Sequence, residues 1–499
     1  MNEHASRKGK FAGGSPASAS LKRRAFAKLA VSTVFGSLYA PKGSWAQGET
    51  PRAAALSQLP DLDGELLFDD ASRKAVSDDK GSYIHRSPIA VLRPRSVDDV
   101  SRSVIYANKR GLKIAMRGQG HSLYGQALVE GGIVIDSSTL SALQWQRNDV
   151  VDAQPGARWG ELAKETLAKG LTPAVMPDSM LLTVGGTLSV GGIGETSYRH
   201  GAQVDHVLEL NVVTGAGDLV ICSPDRNSEL FHMTLAGLGQ CGLIVQARLP
   251  LVQAPKYVAT RTLMYDDMDA FVADLGRLTT AAGLHALNGG LTRDQDGSWR
   301  YALTGGSFVA DENSGKRTPD WMAGLRYKSE APLTTVTYWD YLNRRTARQT
   351  PSAVTSGPTP LPSLVLTLPA TAVPAFLTHV SSTPEVSLGI TIFEVSPKIA
   401  ARFSQPLYKV PAAPLIFELR MQRRASTENA PDHKQMLRAN QALLERLFSV
   451  GGKVYPPFAP VLSHEQWRLQ YGAETWPRFA AAKQRFDPAN VLTPGAGMF

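Results

Sequence analysis

Residues 117–126 read RGQGHSLYGQ, and residues 182–194 read LTVGGTLSVGGIG. The first stretch joins two apolar runs, LKIAMRG at 112–118 and GGIVIDS at 131–137. Both runs predict strands. Glycines between strands mean that backbone must approach something closely. A GxGxxG dinucleotide fingerprint needs a strand, the glycines and then a helix inside a βαβ unit. Gly118, Gly120 and Gly125 are spaced differently and lead into a strand, so this is not a Rossmann loop. A glycine turn still offers bare N–H groups that form an anion-binding nest. The second patch holds Gly185, Gly186, Gly191, Gly192 and Gly194, with Thr183, Thr187 and Ser189 as hydroxyl donors. Two patches separated by a strand–helix unit suggest one extended ligand between them. Two ordinary tight turns are the alternative.

Outward from these loops the pattern is mixed. VDDVSRSVIYANKRG at 97–111 has helical spacing and ends on Gly111, a C-cap. VVDAQPGA at 150–157 reads as a strand, and RWGELAKETLAKG at 158–170 as an amphipathic helix ending on Gly170. HVLELNVVTGAGDLVICSP at 206–224 reads as a hairpin about Thr-Gly-Ala-Gly-Asp. Residues 227–252 give a short helix, a glycine turn and a strand. The expected class is α+β, rich in hairpins, without regular βαβ alternation. Near Pro255 the texture changes. A helix at 266–283, a strand at 298–310 and a Pro-rich loop at 350–363 indicate a second domain. A C-terminal helix turns at Asp487-Pro488 into a glycine-bearing tail.

The chain has 499 residues, and its beginning reads as an export signal. Arg23 and Arg24 precede a weakly apolar segment from Leu29 to Ala40 and a small-x-Ala site at Ser44-Trp45-Ala46. The paired arginines fit a twin-arginine signal, hence an exported, periplasmic or secreted protein. Residues 1–46 hold eight Lys/Arg and one acid, a net +7 of the chain's +9, which leaves +2 for the remainder. The basic pI therefore does not argue for nucleic acid. No run is long and apolar enough for a membrane span. Two cysteines, Cys222 and Cys241, exclude a disulfide framework and a Cys-based metal site. One bridge between them, or two free thiols in strands, remains open. No HExxH or clustered ligand spacing marks a metal.

RGQGHSLYGQ, TVGGTLSVGGIG, HGAQVDHVLELNVVTGAGDLVICS, LFHMTLAGLGQCGLIVQARL and the terminal RFDPANVLTPG occur here in the same order as in cytokinin dehydrogenases. The chain resembles those flavoenzymes of the vanillyl-alcohol-oxidase-like, FAD-linked oxidase superfamily from about residue 84 to 499. The resemblance implies a PCMH-type FAD-binding domain of two α/β subdomains and an antiparallel-sheet substrate domain with helices. It places the FAD domain at 84–253, after an N-terminal segment at 47–83. The substrate (cap) domain follows at 254–450, and a C-terminal segment, 451–499, returns to the FAD domain. By the same resemblance His121 tethers the flavin covalently at its 8α-carbon. Met116, Gly118, Gln119, Gly120, Ser122, Gln126, Thr183, Ser189, Ile193, Ile244, Tyr455 and Thr493 match FAD contacts. Asp178, in VMPDSMLLTVGG, matches the aspartate that takes the substrate's proton and also lies on the cofactor side. A carboxylate in a water-poor pocket is expected to have a raised pKa. Leu181 stands where a related branch has a second tethering cysteine, so a single tether is implied.

The departures concern the substrate. Asn288 replaces the family's purine-binding acid, Ser363 replaces an aromatic lining residue, and Ala496 ends the PGQ-like motif. The implied reaction is hydride transfer to covalent FAD from a C–H beside an amine or alcohol. Its partners are a small-molecule donor and dioxygen or a quinone-type acceptor. An alcohol, polyol or phenol oxidase of the same superfamily is the alternative, and a non-catalytic flavin-binding protein is a second.

Overall fold

The computed structural model describes residues 61–294, 297–317, 319–348, 360–425 and 430–499. The expected export signal and most of the Pro-rich loop lie outside these residues. Three main sheets organise the described chain, with helices packed on them.

The first sheet has the order β1-β2-β4-β3, from β1 (Glu65–Leu67), β2 (Ala90–Arg93), β3 (Ile114–Arg117) and β4 (Ile133–Asp136). β2, β4 and β3 run parallel, and β1 is antiparallel at the edge. Helix Val97–Arg110 links β2 to β3, so this sheet contains one parallel crossover, within an α+β architecture that otherwise lacks regular βαβ alternation. Its sequence signals are all used. Ser96 and Asp99 form a capping box, and Gly111 closes the helix at φ 64°. The β3–β4 connection carries no helix and is the His121 loop.

The second sheet, in the order β5-β6-β10-β8-β9, is antiparallel. It comprises β5 (Leu143–Arg147), β6 (Val150–Ala153), β8 (Glu209–Val213), β9 (Leu219–Cys222) and β10 (Leu243–Pro250). The expected hairpin forms between β8 and β9. β7 (Leu171–Thr172) pairs only with β11 (Val252–Gln253). The second glycine patch contains a helical turn, Val184–Leu188, rather than two tight turns alone. Cys222 and Cys241 are both free and buried.

The third sheet is antiparallel and has nine strands. They are β12 (Tyr257–Tyr265), β13 (Ala286–Arg293), β14 (Trp299–Val309), β15 (Ser329–Glu330), β16 (Thr334–Thr337), β17 (Leu364–Pro369), β18 (Ile390–Ile399), β19 (Leu415–Arg423) and β20 (Lys453–Val454). Side chains alternate across it. Leu287, Leu303, Phe393, Val395 and Leu419 are buried on one face. There the helix Met268–Leu278 sets Phe271 and Leu275 against Gly289, where a Cβ would fall 2.6 Å from Phe271 Cζ. Each such buried side chain contributes roughly 1.5–3 kcal/mol. The opposite face carries Thr262, Thr304, Asn288, Glu394, Ser396, Glu418 and Arg420. These polar positions follow directly from the cross-strand register.

The C-terminal tail returns to the first sheet. Leu492 bridges Ile114 in parallel, with Ile114 N–H donating to Val491 O at 2.8 Å and Thr493 N–H to Ile114 O at 2.7 Å. Asp487 holds this turn, accepting from Lys483 Nζ at 2.6 Å, Val491 N–H at 2.8 Å and Leu492 N–H at 2.9 Å.

Candidate active site

Both glycine loops and the polar sheet face line one cavity of about 1520 Å³. The loops form its floor and the third sheet its roof. Every site residue expected from the sequence lies on its wall: Met116, Gly118, Gln119, Gly120, His121, Ser122, Gln126, Asp178, Thr183, Ser189, Ile193, Ile244, Asn288, Ser363, Tyr455 and Thr493. Ala496 is there too.

Close approach of the two loops explains the floor. A Cβ on Gly118 would fall 2.2 Å from Thr183 Oγ1, so the patches meet this closely because residue 118 has no side chain. Gly120 sits at φ 63°, the left-handed region. Thr493, reached through the C-terminal tail, donates its hydroxyl to Gly239 O at 3.2 Å and accepts at its carbonyl from Gln240 Nε2 at 2.9 Å. Gln126 Nε2 donates to Pro456 O, which ties the first loop to the segment bearing Tyr455. No acceptor among the described residues takes the N–H groups of Gln119, Gly120, His121 or Ser122. Unpaired donors on a glycine cradle fit an anionic group such as a cofactor diphosphate.

His121 lies beside Lys80, whose Nζ contacts Nε2 and is 3.2 Å from Nδ1. Burial, with the charges of Lys80 and Arg420, pushes the imidazole down to about 3. The ring is therefore neutral across the physiological range.

Asp178 is held by cations. Arg420 Nη1 lies 2.9 Å from its carboxylate and Arg345 Nη1 3.9 Å. Burial pushes this carboxyl up, but Arg420, Arg345, Arg344 and Lys398 together outweigh it, and its pKa falls below the usual value. The raised pKa expected for Asp178 is thus overturned: desolvation is present, but specific ion pairs win. Arg345 also pairs with Glu394 at 2.7 Å and Glu195 at 3.3 Å. Arg344 pairs with Glu195, which also accepts from the Tyr341 hydroxyl. Lys398 faces Glu418 at 3.7 Å. Three arginines and three carboxylates thus form one network of ion pairs, and the Lys398–Glu418 pair beside it acts on Asp178 and Arg420 through its charges. Asn288 accepts from Ser396 Oγ at 2.7 Å. Ser363 accepts at Oγ from Arg423 N–H at 3.3 Å and at its carbonyl from Tyr124 OH at 3.0 Å.

Sequence patterns did not mark Lys80, Glu195, Arg345, Glu394 or Arg420. A signal existed for the last. In LIFELRMQR, Glu418, Arg420 and Gln422 interrupt an apolar strand at every second position, as a strand does when one face meets a polar site.

The FAD binding domain family model matches residues 88–223. The family described as "Cytokinin dehydrogenase 1, FAD and cytokinin binding" matches 301–499. Cytokinin dehydrogenase 9 of Oryza sativa subsp. japonica is 31% identical over 480 residues, covering 88% of this chain and 91% of that enzyme. The chain belongs to the cytokinin dehydrogenase family. A further relative, an uncharacterised oxidoreductase of the fasciation locus of Rhodococcoides fascians, is 34% identical over 445 residues, covering 88% of this chain and 99% of its own. As a family member the protein is an FAD-dependent oxidoreductase. Two solved structures share the fold. The 6-hydroxy-D-nicotine oxidase of Arthrobacter nicotinovorans has TM-score 0.69 at 20% identity, covering 87% of this chain and 97% of its own. A chitooligosaccharide oxidase has TM-score 0.71 at 18% identity, covering 89% and 98%. Among the described residues, no helix is long and apolar enough to cross a membrane, and no group of ligating side chains could hold a metal.

Proposed function

We propose that this cytokinin dehydrogenase-like enzyme oxidises a C–H beside an amine or alcohol, with FAD attached to His121 and Asp178 as base. The observation that carries the reading is the 2.9 Å pair of Asp178 and Arg420 in the cavity shared with His121. Gly118, Gln119, Gly120 and Ser122 would hold the diphosphate, with Thr183, Ser189, Ile193, Ile244, Tyr455 and Thr493 along the rest of the cofactor. Bound FAD supplies a two-electron acceptor. Asp178, ionised by its arginines, receives the proton of the donor's N–H or O–H. The roof orients the donor through Asn288, Glu394 and the threonine hydroxyls. Neutral His121 keeps one ring lone pair, which makes it a competent nucleophile for the tether. Dioxygen or a quinone-type acceptor would complete the cycle, and the paired arginines near the N-terminus support export.

A specific observation favours the alcohol reading of the donor. Thr260, Thr262, Thr304, Thr334 and Thr391 line the outer cavity, where hydroxyl-rich ligands hydrogen-bond well. The deciding experiment is anaerobic mixing of the enzyme with isoprenoid adenines and with polyols while flavin absorbance is followed. Bleaching by either class, lost in Asp178→Asn, supports the reading. Bleaching by neither, in protein loaded with FAD, leaves a flavin-binding protein without this activity.

A further inference from the structure

The segment Ser77–Ile84 lies against the His121 loop and is fixed to it. Buried Asp79 accepts from Gly125 N–H at 2.9 Å, Tyr83 N–H at 3.0 Å and Ile84 N–H at 3.3 Å. Lys80 N–H donates to Ser122 O at 3.4 Å. These bonds leave the Lys80 backbone little freedom relative to His121. Its side chain faces the cavity, and Nζ reaches the edge of the imidazole that carries both ring nitrogens. The charged group that acts on both members of the pair is Arg420 from β19; on the lysine's own segment Asp79 is turned to Gly125 N–H and the Asp78 carbonyl accepts from Arg117 of β3.

The two groups hold their protons unusually weakly. Protein around Lys80, together with Arg420, pushes its ammonium down to about 8. His121 is pushed to about 3. Near neutral pH the imidazole therefore keeps a single N–H. A neutral imidazole that gains a bond at one nitrogen must shed the proton at the other to stay neutral. An amine that titrates near 8 at the ring edge is suited to receive it. An ordinary lysine, at about 10.4, would remain an ammonium and could not.

We propose that Lys80 is a positioning residue and proton acceptor for the attachment of FAD to His121. This rests on the reading that His121 carries the flavin. In the attachment, the flavin 8-methyl C–H and the imidazole N–H break and one C–N bond forms. The two electrons and two protons released reduce dioxygen to hydrogen peroxide. Lys80 takes the imidazole proton and returns it to solvent.

The test compares full-length wild type, His121→Ala, Lys80→Met and Lys80→Arg. Total bound FAD is measured by absorbance, and attached FAD by fluorescence of the denatured, acid-washed polypeptide. Wild type should carry attached flavin, and His121→Ala bound but unattached flavin. Lys80→Met and Lys80→Arg should bind FAD yet attach it at least tenfold more slowly in air. The wild-type attachment rate should rise with pH as Lys80 deprotonates near 8, and both lysine variants should lose that rise. A purely structural role would instead lower FAD retention and melting temperature in Lys80→Met while Lys80→Arg restored attachment, and that result overturns the proposal. Wild-type attachment rates in both lysine variants overturn it with the tether intact. Wild type without any attached flavin overturns the tether itself and the role of Lys80 with it.

Discussion

The glycine-loop floor works through backbone, whereas the third-sheet roof works through side chains gathered from separate strands and a helix. The floor sets the N–H groups of residues 119–122, which no described acceptor takes, against a second glycine stretch so close that a Cβ on Gly118 would fall 2.2 Å from Thr183 Oγ1. The roof sets Asp178 among Arg345, Glu394 and Arg420, which come from a helix, β18 and β19. The contrast teaches that one cavity can present two physically different surfaces, a backbone cradle and a charge network. A backbone cradle fits a group common to many proteins. A balanced charge network can be rewired one residue at a time.

The floor is broken most completely at His121. His121→Ala should take acid-stable flavin from nearly all of the protein to none while reversible FAD binding remains, as read by acid precipitation. On the roof side, Asp178→Asn should slow flavin reduction by about 10²–10⁴-fold, measured by anaerobic stopped flow, with FAD content unchanged.

Arg420→Met tests the network itself. Removing one partner of a fully buried ion pair costs roughly 3–5 kcal/mol; the Arg420 and Asp178 side chains are 14% and 22% exposed, so the loss read from denaturant unfolding should fall below that range. It also has a pH signature. As the proposed base Asp178 would act deprotonated, and its pKa lies below the usual carboxylate value because its arginines outweigh its burial. The wild-type reductive rate should therefore stay flat on acidification through the ordinary carboxylate range and fall only below it. In Arg420→Met the fall should move to higher pH. An unmoved acid limb would assign the proton transfer to another group.

Two smaller effects sharpen the comparison. Gly118→Ala would put a Cβ 2.2 Å from Thr183 Oγ1. Overpacking of this kind costs about 1–3 kcal/mol, so FAD binding, titrated in a His121→Ala background, should weaken about 10- to 100-fold. Asn288→Glu should raise the preference for isoprenoid adenines over polyols by roughly tenfold, about one hydrogen bond's worth. An unchanged ratio would mean that the donor does not reach β13.

The local features were legible in the sequence because their causes are local. The helix at Val97 carries its capping box and its terminal glycine, and the β8–β9 hairpin its turn residues. The helical turn at Val184–Leu188 was not legible, because glycines at 185 and 186 lower helix propensity and tertiary packing overrides them. Nor was the parallel run of β2, β4 and β3, since strand direction depends on partners far along the chain.

By itself, then, the sequence determined the glycine cradle, the histidine within it and the alternation that gives the third sheet a polar face. Each depends on residues within a few positions of one another. Only the tertiary structure decided the ionisation of Asp178 and the pairing of Lys80 with His121. The arginines that hold the carboxylate stand 167 and 242 positions further along the chain, and the lysine lies 41 positions before the histidine. Coulomb energy depends on distance in space and on the surrounding dielectric, and neither quantity exists until the chain has folded.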